Sequence, residues 1–376
     1  MKRTLLFACV VAAMASCSKN EVENVNSQDP NVINFTSYVG TTTKAGETTT
    51  ANILDAGVYA LSLNKTAFTD PFMPNVELSR ATTSDDWKTT GVYYWPTSGD
   101  VSFYAYSPYC SAATITDAGV VTDNGLAIAT TADAQVDILA AKPVTSNKAA
   151  NSAVGLTFDH MLSKVDFQIV VKSTEKASIN FSASSFELVG VDGVHDGLDI
   201  NESTPALVNS TATTGSSYTY AATQTALSAS RTTAQTEVAT IELNGTSANA
   251  FMLLPQTLTD WTTGSNENGI DQCGAAVKLK YNLMLNGEYI VGDGATDYVT
   301  AYFALPTTNV SEWKAGSSYL YTLTFDAEDL GDGGKDEDKD PILDGSTISF
   351  TVTVTAWPNE ETTVTPNLNN DPDAAE

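Results

Sequence analysis

Histidine is nearly missing from this chain, with only His160 and His195 among 376 residues. A Ser–His–Asp relay or a histidine-rich zinc site therefore has little to be built from. Basic residues are scarce too: 18 Lys and Arg face 45 Asp and Glu, a formal net charge of −27. A surface of that sign repels phosphate backbones and anionic headgroups, which argues against nucleic acid as a partner and favours solubility. There are four cysteines, of which Cys9 and Cys17 sit near the start. Only Cys110 and Cys273 remain for the body of the chain, too far apart to suggest a disulfide framework. Two small buried hydrophobes is the plainer reading.

Long apolar runs are also lacking. The longest early one covers residues 5–15, short of the roughly 20 residues that span a bilayer. Lys2 and Arg3 precede it and small residues follow, which is the layout of a secretory signal over residues 1–16. Met14-Ala15-Ser16-Cys17 resembles the bacterial lipobox, whose cysteine becomes the diacylated first residue. Acyl chains contribute about 0.8 kcal/mol per buried methylene, so several of them hold a protein on a membrane. Cys17 is thus the expected lipid attachment point, followed by a charged tether.

Alternation dominates what is present. In "STISFTVTVTAW", Ile348, Phe350, Val352, Val354 and Ala356 share one face and threonines or serine the other. Val277, Leu279, Tyr281, Leu283 and Leu285 alternate in "AVKLKYNLML". Val165, Phe167, Ile169 and Val171 do so in "SKVDFQIVVK", and Tyr319, Tyr321, Leu323 and Phe325 in "YLYTLTFD". Strict period two over such lengths predicts half-buried antiparallel strands, and abundant threonine suits a pleated surface. Turn signals such as "PTSGD", "DNG", "NGT" and "GDG" punctuate them. Helical stripes are scarce; a short helix within 221–234 is the one place a helix could fit. The expected class is all-β, with two β-sandwiches and a seam in the polar "KSTEKAS" (172–178).

Catalytic motifs do not emerge. G-x-S-x-G is missing, "GDGGKD" lacks the earlier Gly and the following Ser or Thr of a P-loop, and "VGDGATD" is no dinucleotide fingerprint. The acidic, Gly-rich stretch 328–345 places Asp336, Asp338 and Asp340 at alternate positions like an EF-hand. Pro341 then stands where that loop needs glycine, and Thr347 where it needs glutamate. A solvated acidic loop fits better than a calcium site. His160 reads as a packing or hydrogen-bonding residue. Val101, Phe103 and Ala105 alternate within the aromatic stretch 85–109, which puts part of that stretch in a core and favours core over a sugar-stacking platform.

Five segments in order, "YYWPTSGDVSFYAYSP" (93–108), "QVDILAAK" (135–142), "LTFDHMLSKVDFQIV" (156–170), "FMLLPQTL" (251–258) and "GSSYLYTLTF" (316–325), resemble the fimbrillin family. These are lipoprotein precursors of type V pili in Gram-negative anaerobes. The resemblance implies two tandem transthyretin-like antiparallel β-sandwich domains, no catalytic centre and no cofactor. It implies export to the outer membrane as a lipoprotein, then cleavage by a protease behind the first strand. A donor strand from another subunit refills the groove.

Matching parts can be placed. Residues 17–44 would be the tether and removable first strand, 45–175 the first sandwich, and 176–376 the second. "VINFTSYV" (32–39) sets Ile33 and Phe35 on one face. "GTTTKAGETTT" follows it, and small polar loops are where nicking is easiest. Lys44 is the basic residue there, so cleavage would fall between Lys44 and Ala45; relatives often carry arginine instead. Ile348, Phe350, Val352 and Val354 belong either to the donor or to the last strand of the second sandwich. Partners would be other copies or related subunits, the protease, the membrane through its lipid, and a surface ligand in adhesion. A carbohydrate-binding surface lipoprotein, using Trp87, Trp95 or Trp261, is the rival reading. A surface glycoside hydrolase with paired acids is the third.

Overall fold

The computed structural model describes residues 29–39, 53–82, 84–122, 127–150, 152–172, 179–209, 218–221, 227–231, 239–242, 250–260, 262–263, 272–326 and 348–356. Among the described residues, all regular structure is strand apart from two three-residue 3-10 turns, Ala132–Ala134 and Lys148–Ala150.

A seven-stranded sheet opens the fold. Its strands run in the order Phe35–Val39, Val154–His160, Leu139–Ser146, Val101–Ser107, Asp55–Ser62, Met73–Ser79 and Lys88–Thr89. Its apolar alternation fills one core with Val58, Ala60, Phe103, Ala105, Leu156 and Phe158, all 1% exposed or less. In a flat sheet, Phe35 and Phe103 would be three strand spacings apart, roughly 14 Å. Their ring centroids are 5.6 Å apart and edge-on. The sheet therefore rolls over on itself, and its first strand comes down across the apolar face it helps to cover. The opposite face, with Tyr59, Tyr106, Ile138 and Ala140, packs on Val121, Leu198 and Ile200. Val121 and Leu198 belong to a small four-stranded sheet ordered Ala206–Asn209, His195–Asp199, Val120–Thr122, Thr114–Ile115.

The second sandwich is made of two sheets. One is ordered Ala239–Glu242, Ser163–Lys172, Ser317–Asp326, Ile348–Ala356, with Phe251–Leu253 also pairing Ser163–Lys172. The other runs Tyr218–Ala221, Ile179–Val191, Ala276–Leu285, Glu288–Val291, with Leu227–Arg231 and Val299–Ala304 also pairing its central strands. Their facing apolar rows, Val165, Phe167, Ile169 and Val171 against Phe181, Val277, Leu279 and Tyr281, form one continuous core. Asn286 and Gly287, both at positive φ, make the tight turn from Ala276–Leu285 into Glu288–Val291. At Gly190, also at positive φ, a Cβ would strike the carbonyl of Gly274, so the chain needs glycine where these backbones cross.

Three expectations change. The stretch 221–234 carries the strand Leu227–Arg231 and no helix among its described residues, because five residues find a complete ladder on Ile179–Ala183. The strand Ser163–Lys172 belongs to the second core, so the chain passes between cores at Met161 and Leu162, not within 172–178. Both residues are buried in the cluster beneath the rolled sheet, where a polar linker signal cannot appear. Finally, two pairings run parallel: Phe35–Val39 on Val154–His160, and Ser163–Lys172 on Ser317–Asp326.

Candidate functional site: the first strand and its groove

The first strand is held from two sides by different residues. Phe35, Thr36, Ser37, Tyr38 and Val39 pair in parallel with Val154, Gly155, Leu156, Thr157 and Phe158. The backbone N–H of Val154 donates to the carbonyl of Asn34 at 2.8 Å. Just upstream the chain pairs with a different segment. The N–H of Ile33 donates to the carbonyl of Tyr93 at 2.9 Å, and that of Trp95 to Asn31 at 2.8 Å. Val32 and Tyr94 form the bridge between them. Residues 31–39 thus close the roll, like a stave between 154–158 and 93–95.

Alternation decides what the stave buries. Ile33, Phe35 and Val39 are 3%, 5% and 0% exposed, while Tyr38 is 52% exposed. Phe103 meets Phe35 and Trp95 edge-on, at centroid distances of 5.6 Å and 5.8 Å. Ser37 interrupts the apolar row, and the Trp87 indole N–H donates to its hydroxyl at 3.1 Å. The Arg80 guanidinium stacks over Trp87 at 4.4 Å and its Nε donates to the Ile53 carbonyl at 3.0 Å. Burial pushes the Tyr93 phenol above its ordinary range and lowers the Arg80 guanidinium, which Asp85 partly offsets. Burying an Ile, a Phe and a Val contributes about 5–9 kcal/mol at 1.5–3 kcal/mol each. That is comparable with the whole 5–15 kcal/mol stability of an ordinary domain.

The chain itself now fits a known class. The fimbrillin-like family matches residues 41–357. This chain belongs to the fimbrillin-like family. It is 28% identical over 118 residues to the fimbrium subunit Fim1C of Phocaeicola vulgatus, an alignment covering 28% of this chain and 31% of that relative. It thus spans about a third of the length of the curated fimbrium subunit it matches. A fimbrial protein from Bacteroides vulgatus of known structure is 15% identical, covering 87% of this chain and 99% of that one with a TM-score of 0.45.

Other residues singled out in the sequence lie in varied places. Ile33 and Phe35 both lie in the first core, Phe35 edge-on to Phe103. Ile348–Ala356 is the edge strand of the second sandwich, pairing antiparallel with Ser317–Asp326 across nine residues. Val352 is 2% exposed in that core and Val354 packs against it. Of Ile348 and Phe350 the described backbone gives only their ladder positions, opposite Phe325 and Leu323. Cys17, Lys44, Ala45, Trp261 and the acidic stretch 328–345 lie outside the described residues. Trp87 and Trp95 are partly buried against the first core, and both also line a surface cavity of about 370 Å³ together with Asp29, Val32, Phe35 and Asp86. Cys110 is half-buried, and its backbone carbonyl accepts from the Asn75 side-chain amide at 2.8 Å and the Tyr106 hydroxyl at 3.2 Å. His160 Nδ1 lies 2.9 Å from the Asp137 carboxylate, both side chains 1% exposed, a buried pair at the base of Val154–His160. The clamp over 93–95 gave no sequence signal, since it needs the sheet to be rolled before the two edges can meet.

Proposed function

We propose that this fimbrillin-like chain is the precursor of a cell-surface pilus subunit that polymerises by strand exchange after its first strand is removed. It would reach the outer membrane as a lipoprotein acylated on Cys17. Cleavage between Lys44 and Ala45 would then release residues 17–44. The observation that carries this reading is the stave of residues 31–39: it is N-terminal, lies at a sheet edge and is buried along its apolar row. Its loss would expose unpaired backbone on 154–158 and 93–95 above an open apolar core, a template for a strand from another subunit. The family match begins at residue 41, two residues beyond Val39, which fits a first strand separable from the body. Because such a contact is head-to-tail and does not close, it propagates into a filament. The filament would serve adhesion at the surface.

The test is K44A in the full chain, expressed in its own cells. Surface filaments seen by electron microscopy should be lost while the longer precursor accumulates. Filaments of normal number and length on K44A cells would overturn processing at this position.

A further inference from the structure

Where the first strand enters the roll, the chain walls one side of the surface cavity of about 370 Å³. Asp29, Val32, Asn34, Phe35 and Thr36 line it from this strand and the segment leading into it. Asp86, Trp87, Trp95 and Ser152 line it from the body of the domain. Its size falls within the roughly 300–1,000 Å³ usual for small-ligand sites. We infer that this cavity binds a neutral saccharide that touches both walls, so that only the uncleaved chain holds it. The site stands by itself, whereas its loss on cleavage rests on the pilus reading.

The chemistry of the lining selects the ligand. Two indoles offer broad, stiff apolar surface. Asp29 and Asp86 accept hydrogen bonds, while the Asn34 amide and the hydroxyls of Thr36 and Ser152 both donate and accept. A sugar ring presents the complement: an apolar C–H face rimmed by hydroxyls that do both. An ammonium ligand would use the carboxylates and rings but leave the amide and hydroxyls idle. Among the described residues that line the cavity none is basic, so a sialylated or sulfated sugar would meet two carboxylates without a counter-charge.

The walls are set before a ligand arrives. The Trp87 indole N–H is spent on the Ser37 hydroxyl, and Arg80 covers one face of the ring. Trp95 stands edge-on to Phe103, and its backbone N–H donates to the Asn31 carbonyl. Asp29 Oδ1 accepts from the Asn31 backbone N–H at 2.9 Å and from its side-chain amide at 2.7 Å. Asn34 Nδ2 donates to the Val32 carbonyl at 3.3 Å. Groups held in this way cost a ligand little ordering entropy. A ligand that needs both walls binds only the closed form. At about 100 times its Kd it lowers the population in which the first strand has left by about 100-fold.

The test applies the uncleaved full chain, kept so by K44A, to an array of neutral, sialylated and sulfated oligosaccharides. The tightest neutral ligand is then titrated by calorimetry. D86N, at an exposed position, should weaken it about tenfold with thermal unfolding unchanged, through loss of a charged acceptor. W95F keeps a ring against Phe103 but a smaller wall, and should weaken binding about tenfold too. D117N, an exposed acid away from the cavity, should leave affinity as it was. Saturating saccharide should slow hydrogen exchange across 154–158 by up to about 100-fold. Subunits sheared from cells and beginning at Ala45 should bind none. Capture of acidic sugars only or of no sugar, binding of spermidine in place of saccharide, or full affinity in both D86N and W95F would overturn the site and leave the pilus reading standing. Undiminished binding by subunits beginning at Ala45 would overturn the shared walls. Sheared subunits that begin at Cys17 and bind would uphold the site and overturn the pilus reading.

Discussion

Phe35 is the residue on which the closure of the first core should most depend, and its truncation can be read locally. Phe35→Ala removes a ring that is 5% exposed and edge-on to Phe103. Core Phe→Ala changes cost about 3–5 kcal/mol, and an edge strand can settle into part of the space, so the lower end, about 3 kcal/mol, applies. At about 1.4 kcal/mol per tenfold, that corresponds to roughly a 100-fold rise in the population of opened states. Those states expose the amides of Val154–His160, the strand that the first one covers, and hydrogen exchange reads them peptide by peptide. Tyr38→Ala is the matched control: it sits in the same ladder but is 52% exposed, and a surface change should cost within about 0.5 kcal/mol. The prediction is about 100-fold faster exchange across 154–160 for F35A and about twofold for Y38A, in the uncleaved chain. Equal effects from the two, or less than about fivefold from F35A, would refute the claim that this apolar row closes the core.

Trp87→Phe removes the indole bond to the Ser37 hydroxyl but keeps most of the packing, so thermal unfolding should show a loss of only about 1 kcal/mol. Asp137→Ala leaves His160 buried beside an empty space, and should lower stability by about 3 kcal/mol or more in denaturant titration; a change below about 1 kcal/mol would contradict the buried pair. Burial raises the phenols of Tyr106, Tyr281 and Tyr321, and takes Tyr59 up to about 12. The folded state then holds protons that the unfolded state releases near pH 10, so stability is complete below about pH 10 and falls as pH rises towards 12. Absorbance at 295 nm should show these tyrosines ionising late and together with unfolding. Gly190→Ala should cost about 2 kcal/mol or more by thermal unfolding, because its Cβ meets backbone and φ is positive.

Period two made much of this fold legible. The rows Val165–Val171, Val277–Leu283 and Tyr319–Phe325 are buried as their alternation requires, since each strand has one face on the core. Asn282 departs from the pattern: it lies on the polar face yet is 3% exposed, because a later loop folds over it and its amide donates to the Gly294 carbonyl at 3.0 Å. Strand direction is not carried by period two, so the parallel pairing of the first strand could not be read. The passage between cores carries no polar signal for a related reason: Met161 and Leu162 are apolar and buried there, while "KSTEKAS" is polar whatever its neighbours do. At the groove, Ile33 and Phe35 were visible as an apolar row, but the clamp by 93–95 depends on the roll of the whole sheet.

The central claim is that the first strand is removed on the way to a filament. The measurement that tests it most directly is the N-terminus and intact mass of subunits sheared from the surface of the protein's own cells. A chain beginning at Ala45, without lipid and without residues 31–39, is the predicted result. A chain beginning at an acylated Cys17, with no shorter form present, would contradict it.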